Sequence, residues 1–92
     1  MNWVELNRCD YVILGILHSK GATKMMYGQS IYEIKESEKI SKIGTIYKEV
    51  KKLQKFGYVA EGVKAGRAKT YYLTKEGINM LPVKKERTNY EQ

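Results

Sequence analysis

Apolar residues recur at every third or fourth position between residues 43 and 53, which is the spacing of one buried stripe along an α-helix. The stripe contains Ile43, Ile46, Tyr47, Val50 and Leu53. We expect Ser41 to be the N-cap of this helix and Gly57 to end it after Phe56. The opposite face begins with small polar residues and continues with lysines: Ser41, Gly44, Thr45, Lys48, Lys52 and Lys55.

Two further helices are predicted before this one. The first extends from about Val4 to Ser19, and the second occupies about residues 28–37 after a brief strand at residues 25–27. Apolar residues cover almost the whole circumference of the first helix, and such a helix must be buried on both sides. We therefore expect one side to face the core and the other to pack against a second copy of the chain, through Trp3, Leu6, Cys9, Ile13 and Leu17.

A β-hairpin is predicted after the third helix. Residues 58–63 and 69–73 are rich in Tyr, Val and Thr, and the basic turn between them contains Gly66, which can adopt a positive φ. Thr74 is the expected N-cap of a last short helix, which Pro82 ends or kinks. The pattern as a whole is helix, helix, basic helix, basic hairpin, helix.

Composition limits the kinds of function that are open to this chain. Its 92 residues are enough for one domain, predicted at 1–82, followed by a charged tail at 83–92. A single cysteine excludes an internal disulfide and a cysteine-based metal cage, and a single histidine removes most routes to acid–base or nucleophilic catalysis. We therefore expect no enzyme activity, no metal and no cofactor. The longest apolar stretch is too short for a membrane span and the N-terminus has no signal-peptide pattern, so we expect the protein to act in the cytoplasm.

The positive charge is concentrated in one part of the chain. The segment from Lys39 to Lys75 holds ten basic and two acidic residues, whereas the rest of the chain holds seven basic and eight acidic residues. This segment covers the basic helix and the hairpin, and a positive field confined to one unit attracts a polyanion such as DNA or RNA. A plain solvated face would mix both signs of charge more evenly.

Several local strings resemble the winged helix-turn-helix domain of PadR-type regulators, an architecture that MarR-type regulators share. Residues 40–47 (ISKIGTIY) resemble the start of the PadR recognition helix, and residues 50–59 (VKKLQKFGYV) its end and the turn into the wing. Residues 67–77 (RAKTYYLTKEG) resemble the returning strand of the wing and the start of the next helix. The compact size is also similar to small winged-helix proteins of archaeal viruses.

The resemblance implies an α+β winged helix-turn-helix fold with a three-helix core, a two-stranded β wing and a C-terminal helix. It implies a sequence-specific double-stranded DNA-binding protein, a transcription regulator that acts as a homodimer. The recognition helix, about 41–56, would lie in the major groove, and the wing, about 58–73, on the adjacent backbone or minor groove. The expected DNA contacts are Ser41, Lys42, Gly44, Thr45, Lys48, Lys52, Lys55, Lys64, Arg67 and Lys69.

Some alternatives stay open at this point. The basic face could instead bind an acidic protein partner, as an interaction or assembly module. Binding of single-stranded nucleic acid would need exposed aromatic side chains, but we expect two of Tyr47, Tyr71 and Tyr72 to pack in the core. PadR-type proteins usually carry a long C-terminal helix for dimerisation, which is not expected here, so the dimer is expected to use the first helix, with or without the charged tail. At its two-fold axis, Cys9 could form a disulfide with its own copy.

Overall fold

The computed structural model describes residues 6–81, which form three packed helices, a small antiparallel sheet and a short last helix. This is the predicted α+β winged helix-turn-helix architecture, and the brief strand expected before the second helix pairs with the wing. The helices and strands, in chain order, are α1 (Arg8–Ser19), β1 (Gln29–Ser30), α2 (Ile31–Ser37), α3 (Ile43–Lys55), β2 (Val59–Glu61), β3 (Thr70–Leu73) and α4 (Lys75–Asn79). The predictions for Val4, Trp3, Pro82 and the tail at 83–92 lie outside the described residues.

The sheet has the order β1-β3-β2, so the wing hairpin of β2 and β3 gains a third strand from the segment before α2. The strand expected at residues 25–27 is a single 3-10 turn, and the actual strand follows two residues later. Gly28 explains this position. A Cβ atom at Gly28 would lie 2.5 Å from Thr70 Oγ1, so only glycine lets the chain come this close to β3.

Capping boxes fix the starts of α1 and α2, both later than expected. The Asn7 side chain accepts a hydrogen bond from Asp10 N at 2.9 Å, and the Asp10 carboxylate accepts one from Asn7 N at 2.9 Å. Ser30 and Glu33 exchange the equivalent pair of hydrogen bonds at α2. Each helix therefore begins at the residue after its cap, because the cap residue itself has an extended backbone.

The core lies between α1, α3 and the sheet. The predicted stripe of α3 is buried at Ile46, Val50 and Leu53, but Ile43 and Tyr47 are exposed and do not belong to it. In the wing, Tyr71 is buried and packs in the core. No helix among residues 6–81 is both long and apolar enough to cross a bilayer.

One part of the predicted dimer interface is wrong. Ile13 and Leu17 are both fully buried in the core of their own chain, so neither can contact a second copy. The sequence predicts more apolar surface on the first helix than one small core can cover. In the structure, α2, α3 and β3 all contact α1 and cover most of that surface.

Candidate nucleic-acid interface

The outward face of α3 carries most of the residues that were expected to contact DNA. Lys42, Gly44, Thr45, Lys48 and Lys55 are all exposed along this face. Within residues 6–81, its three lysines form no ion pair with a carboxylate. Their charges therefore face solvent and can meet an anionic ligand without first breaking an internal salt bridge.

Ser41 has a different role from the one expected. It precedes α3 but does not cap it, since Lys42 occupies the N-cap position. The Ser41 hydroxyl donates to Glu38 Oε2 at 2.9 Å, and Glu38 Oε1 accepts hydrogen bonds from Ser41 N and Ile40 N, both at 2.8 Å. These backbone and hydroxyl donors lower the pKa of the buried Glu38 carboxyl. Glu38 thus holds the turn between α2 and α3 and fixes where α3 begins.

Lys52 also has an internal partner. Its Nζ lies 2.6 Å from Asp10 Oδ2 and 3.0 Å from Glu49 Oε1, and we call these three residues the charged seam between α1 and α3. The Asp10 side chain is fully buried, whereas 32% of the Lys52 side chain is exposed. Lys52 therefore holds α1 against α3. The prediction that Lys52 lies along the DNA backbone gains no support, because its ammonium group is directed inward towards buried carboxyl groups.

Burial and the neighbouring charges shift the pKa values of all three residues of the charged seam. Burial raises the pKa of Asp10, and the neighbouring Glu49 carboxylate raises it further. Contact with Asp10 and with Lys52 lowers the pKa of Glu49, and the Asp10 carboxylate raises the pKa of Lys52. Lys52 therefore stays charged beside the two carboxyl groups.

The turn of the wing projects three basic residues. Ala65 and Ala68 exchange two backbone hydrogen bonds of 2.9 and 3.0 Å, and between them Gly66 has a φ of 65°. This tight turn places Arg67 at the tip, with Lys64 and Lys69 exposed on either side of the turn.

Lys69 forms an ion pair with Glu61, at 3.4 Å across the hairpin. Both side chains are about half exposed, so this surface pair contributes little to stability and can be exchanged for another anion.

An open groove of about 410 Å³ lies between the basic face of α3 and the wing. Among residues 6–81, its lining is mostly apolar and includes no carboxylate: Ile31, Tyr32, Ile43, Gly44, Tyr47, Lys69 and Tyr71. We call this feature the apolar groove. Tyr47 stands at its edge, with Lys51 Nζ 5.8 Å from the centre of its ring. The groove therefore joins α3 to the wing in one continuous surface.

Sequence reasoning missed the apolar groove because it assigned Ile43 and Tyr47 to the buried stripe. One signal could have placed Tyr47 correctly. Tyr47 follows the buried Ile46 by one residue, and one residue turns the side chain by about 100° around a helix. Tyr32 carried no comparable signal, since its exposure depends on how α2 packs.

Cys9 is a free thiol whose Sγ lies 3.6 Å from Ser41 Oγ of the same chain. It is half-buried against the core, and this burial raises the pKa of the thiol. The expected Cys9–Cys9 disulfide is not supported, because the sulfur contacts its own chain and a raised pKa disfavours the reactive thiolate.

Comparison with known proteins gives a relative and several similar folds, although no family model matches the chain. The DNA-binding protein TubR of a Clostridium botulinum C phage is 32% identical over 78 residues, which cover 85% of this chain and 95% of the relative. The solved TubR from Bacillus megaterium pBM400 has a TM-score of 0.72 at 24% identity, over 82% of this chain and 81% of that one.

Regulators of the two expected types share the fold. Bacillus subtilis PadR, solved with operator DNA, has a TM-score of 0.66 at 24% identity and matches 94% of this chain but 52% of its own. The zinc-responsive MarR family member ZitR of Lactococcus lactis has a TM-score of 0.65 at 25% identity. The match covers 85% of this chain and 50% of ZitR.

The expected similarity to proteins of archaeal viruses is not supported, since the viral relative comes from a bacterial phage. The proteins that this chain resembles are DNA-binding proteins and regulators rather than enzymes, which confirms the prediction that it is not an enzyme. A relative that is 32% identical and matched over nearly its whole length shows the family directly. This chain belongs to the TubR family.

Proposed function

We propose that this protein is a sequence-specific double-stranded DNA-binding protein and transcription regulator. The observation that carries the proposal is the row of exposed lysines on α3, which form no ion pair within residues 6–81 and continue across the apolar groove to the wing. A surface of this shape and charge fits a duplex, because α3 can enter a major groove while the wing follows the neighbouring backbone. The name of the phage relative, DNA-binding protein TubR, supports the same function.

The proposed contacts follow the order of residues along α3 and the wing. Gly44, Thr45 and Lys48 lie nearest the base edges. Lys42 and Lys55 bind flanking phosphates from the two ends of the helix. In the wing, Arg67 enters the minor groove or binds the backbone beside it, between Lys64 and Lys69. Ser41 and Lys52 take no part, since each is bonded within its own chain.

The proposed active form is a homodimer that acts inside the cell. One winged helix covers a single half-site, and two copies related by a two-fold axis would place their recognition helices about 34 Å apart, in successive major grooves. The interface would use the N-terminal end of α1, where Leu6 is partly buried and Tyr11 is exposed. Light scattering after size exclusion tests this form. A monomer at micromolar concentration would exclude the dimer and leave DNA binding untouched.

A competition gel shift tests DNA binding. Fragments of the genome that encodes this protein serve as probes, against an excess of random duplex, single-stranded DNA or polyglutamate. We expect some fragments to be retained against random duplex, and both other competitors to be weak. Displacement by polyglutamate would favour an acidic protein partner, and equal displacement by every duplex would exclude sequence specificity.

A matched pair of lysine variants locates the surface. Lys48→Ala removes a charge from the outward face of α3, whereas Lys20→Ala removes an exposed charge at the end of α1, outside the basic segment. Only Lys48→Ala is expected to weaken the retained complexes. Equal weakening by both variants would mean that general charge, and not the α3 face, holds the DNA.

A further inference from the structure

The apolar groove exposes large side chains that have no role in the core. Tyr32 is 69% exposed, Tyr47 is 51% exposed and Ile43 is 39% exposed, although all three line the groove. Single exposed apolar residues are common on protein surfaces, but three around one concavity indicate a surface that a ligand covers. The groove is lined by Lys69 of the wing and by residues of α3, the helix that also carries Lys48, so a duplex that reaches both lysines would cover it.

Gly44 leaves open space at the mouth of this groove. Its φ is not positive, and a Cβ atom built on it would have no neighbour within 4 Å. Within residues 6–81, neither the backbone nor the packing requires glycine here, and glycine weakens a helix relative to alanine. The absent side chain instead allows a ligand to approach the backbone of the first turn of α3.

The chemistry of the groove selects one feature of DNA. On the major-groove edges of the base pairs, the thymine 5-methyl group is the apolar group, whereas the other groups are hydrogen-bond donors or acceptors. The α3 residues that line the groove are Ile43, Gly44 and Tyr47, which offer the bases mainly apolar surface. Ser41, two residues before Ile43, donates its hydroxyl to Glu38. In the part of the chain that the structure describes, no carboxylate lines the groove and Lys69 does, which suits an anionic duplex.

We propose that the apolar groove receives thymine methyl groups, so that Ile43 and Tyr47 read T·A pairs while Gly44 permits the close approach. This inference rests on the proposed function and adds the chemical basis of its specificity. Lys42, Lys48 and Lys69 then supply attraction to phosphates and bases, and the groove supplies discrimination at thymine positions.

Replacement of thymine by uracil tests the inference, because uracil pairs identically but lacks the 5-methyl group. A preferred duplex is first selected from a random library and then synthesised with deoxyuridine at every thymine, and afterwards at single positions. Fluorescence anisotropy measures both affinities. We expect the wild-type protein to lose about four-fold in affinity for each methyl group that the groove covers. Positions that lose affinity should cluster in one part of each half-site.

Variants of the protein assign the effect to the groove. Ile43→Ala and Tyr47→Ala should weaken binding to the thymine duplex and leave binding to the uracil duplex nearly unchanged, so the affinity ratio falls towards one. Phe56→Ala is the matched control, since Phe56 is exposed to a similar extent at the opposite end of α3. It should keep the wild-type ratio. Thermal melting checks that each variant folds.

The outcomes separate this inference from the proposed function. Equal affinity of the wild-type protein for the two duplexes would overturn thymine recognition while leaving sequence-specific DNA binding in place. A uracil effect that persists in both groove variants would overturn the assignment to the groove. If the selection enriches no duplex above random sequence, the proposed function itself fails, and the inference fails with it.

Discussion

The two flanks of α3 invert the usual distribution of polar and apolar groups. On the flank that faces α1, the charged seam buries Asp10 and Glu49 against the Lys52 ammonium group. On the flank that faces α2 and β3, the apolar groove exposes Ile43 and Tyr47. Buried charge and exposed apolar surface are the two departures from ordinary burial that carry information, and here they occur on opposite sides of one helix.

The difference between the flanks shows how α3 can be fixed to the rest of the protein on one side and still offer a binding surface on the other. On the flank that faces α1, the Lys52 ammonium group lies 2.6–3.0 Å from the two buried carboxyl groups, so their charge is compensated by a residue of the same chain. Nothing else within residues 6–81 covers the apolar side chains of the groove, and these side chains gain by contact with a ligand. The seam therefore fixes the position of α3 in the protein, and the groove and outward face remain available to bind.

The largest expected effect comes from breaking the charged seam. Asp10→Ala should lower the free energy of unfolding by about 3–5 kcal/mol, because Lys52 and Glu49 stay partly buried without the carboxyl group that joins them to α1. Urea denaturation at neutral pH measures this change. Glu33→Ala is the matched control: it removes the equivalent carboxylate of the α2 capping box, which is exposed, and should cost about 1 kcal/mol or less. Similar losses in the two variants would mean that the seam stabilises no more than a helix cap does.

A second effect separates two lysines of the same helix. Lys52→Ala should mainly lower stability, because Lys52 belongs to the charged seam. Lys48→Ala should leave the melting temperature unchanged but reduce discrimination between DNA sequences by about 1–3 kcal/mol. Parallel measurement of melting and of affinity for preferred and altered duplexes distinguishes the two roles. Loss of DNA affinity in a Lys52→Ala variant with unchanged stability would contradict the division.

A third effect concerns the wing beyond the apolar groove. Replacing Arg67 and Lys69 together with alanine should weaken all duplexes alike and reduce the log–log slope of affinity against salt by about 0.9 for each phosphate that the wing no longer neutralises. Stability should not change, since both side chains are exposed and the Lys69–Glu61 pair is superficial. A salt slope that equals that of the wild-type protein would remove the wing from the interface.

The smallest expected effect is a pH dependence of stability that arises at the N-terminal end of α3, where Glu38 holds the preceding turn. Hydrogen bonds from Ser41 and Ile40 lower the pKa of Glu38 below its ordinary value of 4.5. A carboxyl group with a lowered pKa adds stability above its unfolded pKa and loses it as the pH falls through the folded pKa. Glu38→Gln should therefore be less stable than the wild-type protein by about 1 kcal/mol at pH 7, and the difference should shrink at acid pH. Urea denaturation across this range measures it, and a constant difference would show that the charge of Glu38 contributes nothing.

The sequence by itself determined the features that depend on neighbours within a few positions. The burial of Ile46, Val50 and Leu53 follows from helical periodicity, and the end of α3 follows from Gly57, whose φ is 83°. The Thr74 cap of α4 was predictable for the same reason, since its side chain accepts a hydrogen bond from Gly77 N. Composition and local pattern also predict the order of the helices and the hairpin. They likewise predict the basic charge on α3 and the wing.

Only the tertiary structure decided what each side chain on α3 touches. The sequence pattern does not distinguish Lys52 from Lys48. The structure does, because the packing of α1 against α3 places Asp10 Oδ2 2.6 Å from Lys52 Nζ. Tyr47 was assigned to the core until the positions of α2 and β3 left a groove beside it. Such contacts join residues that are far apart in the chain, and their formation depends on the docking of whole elements. Periodicity states which face of a helix is apolar, but the neighbouring elements decide how much of that face they cover.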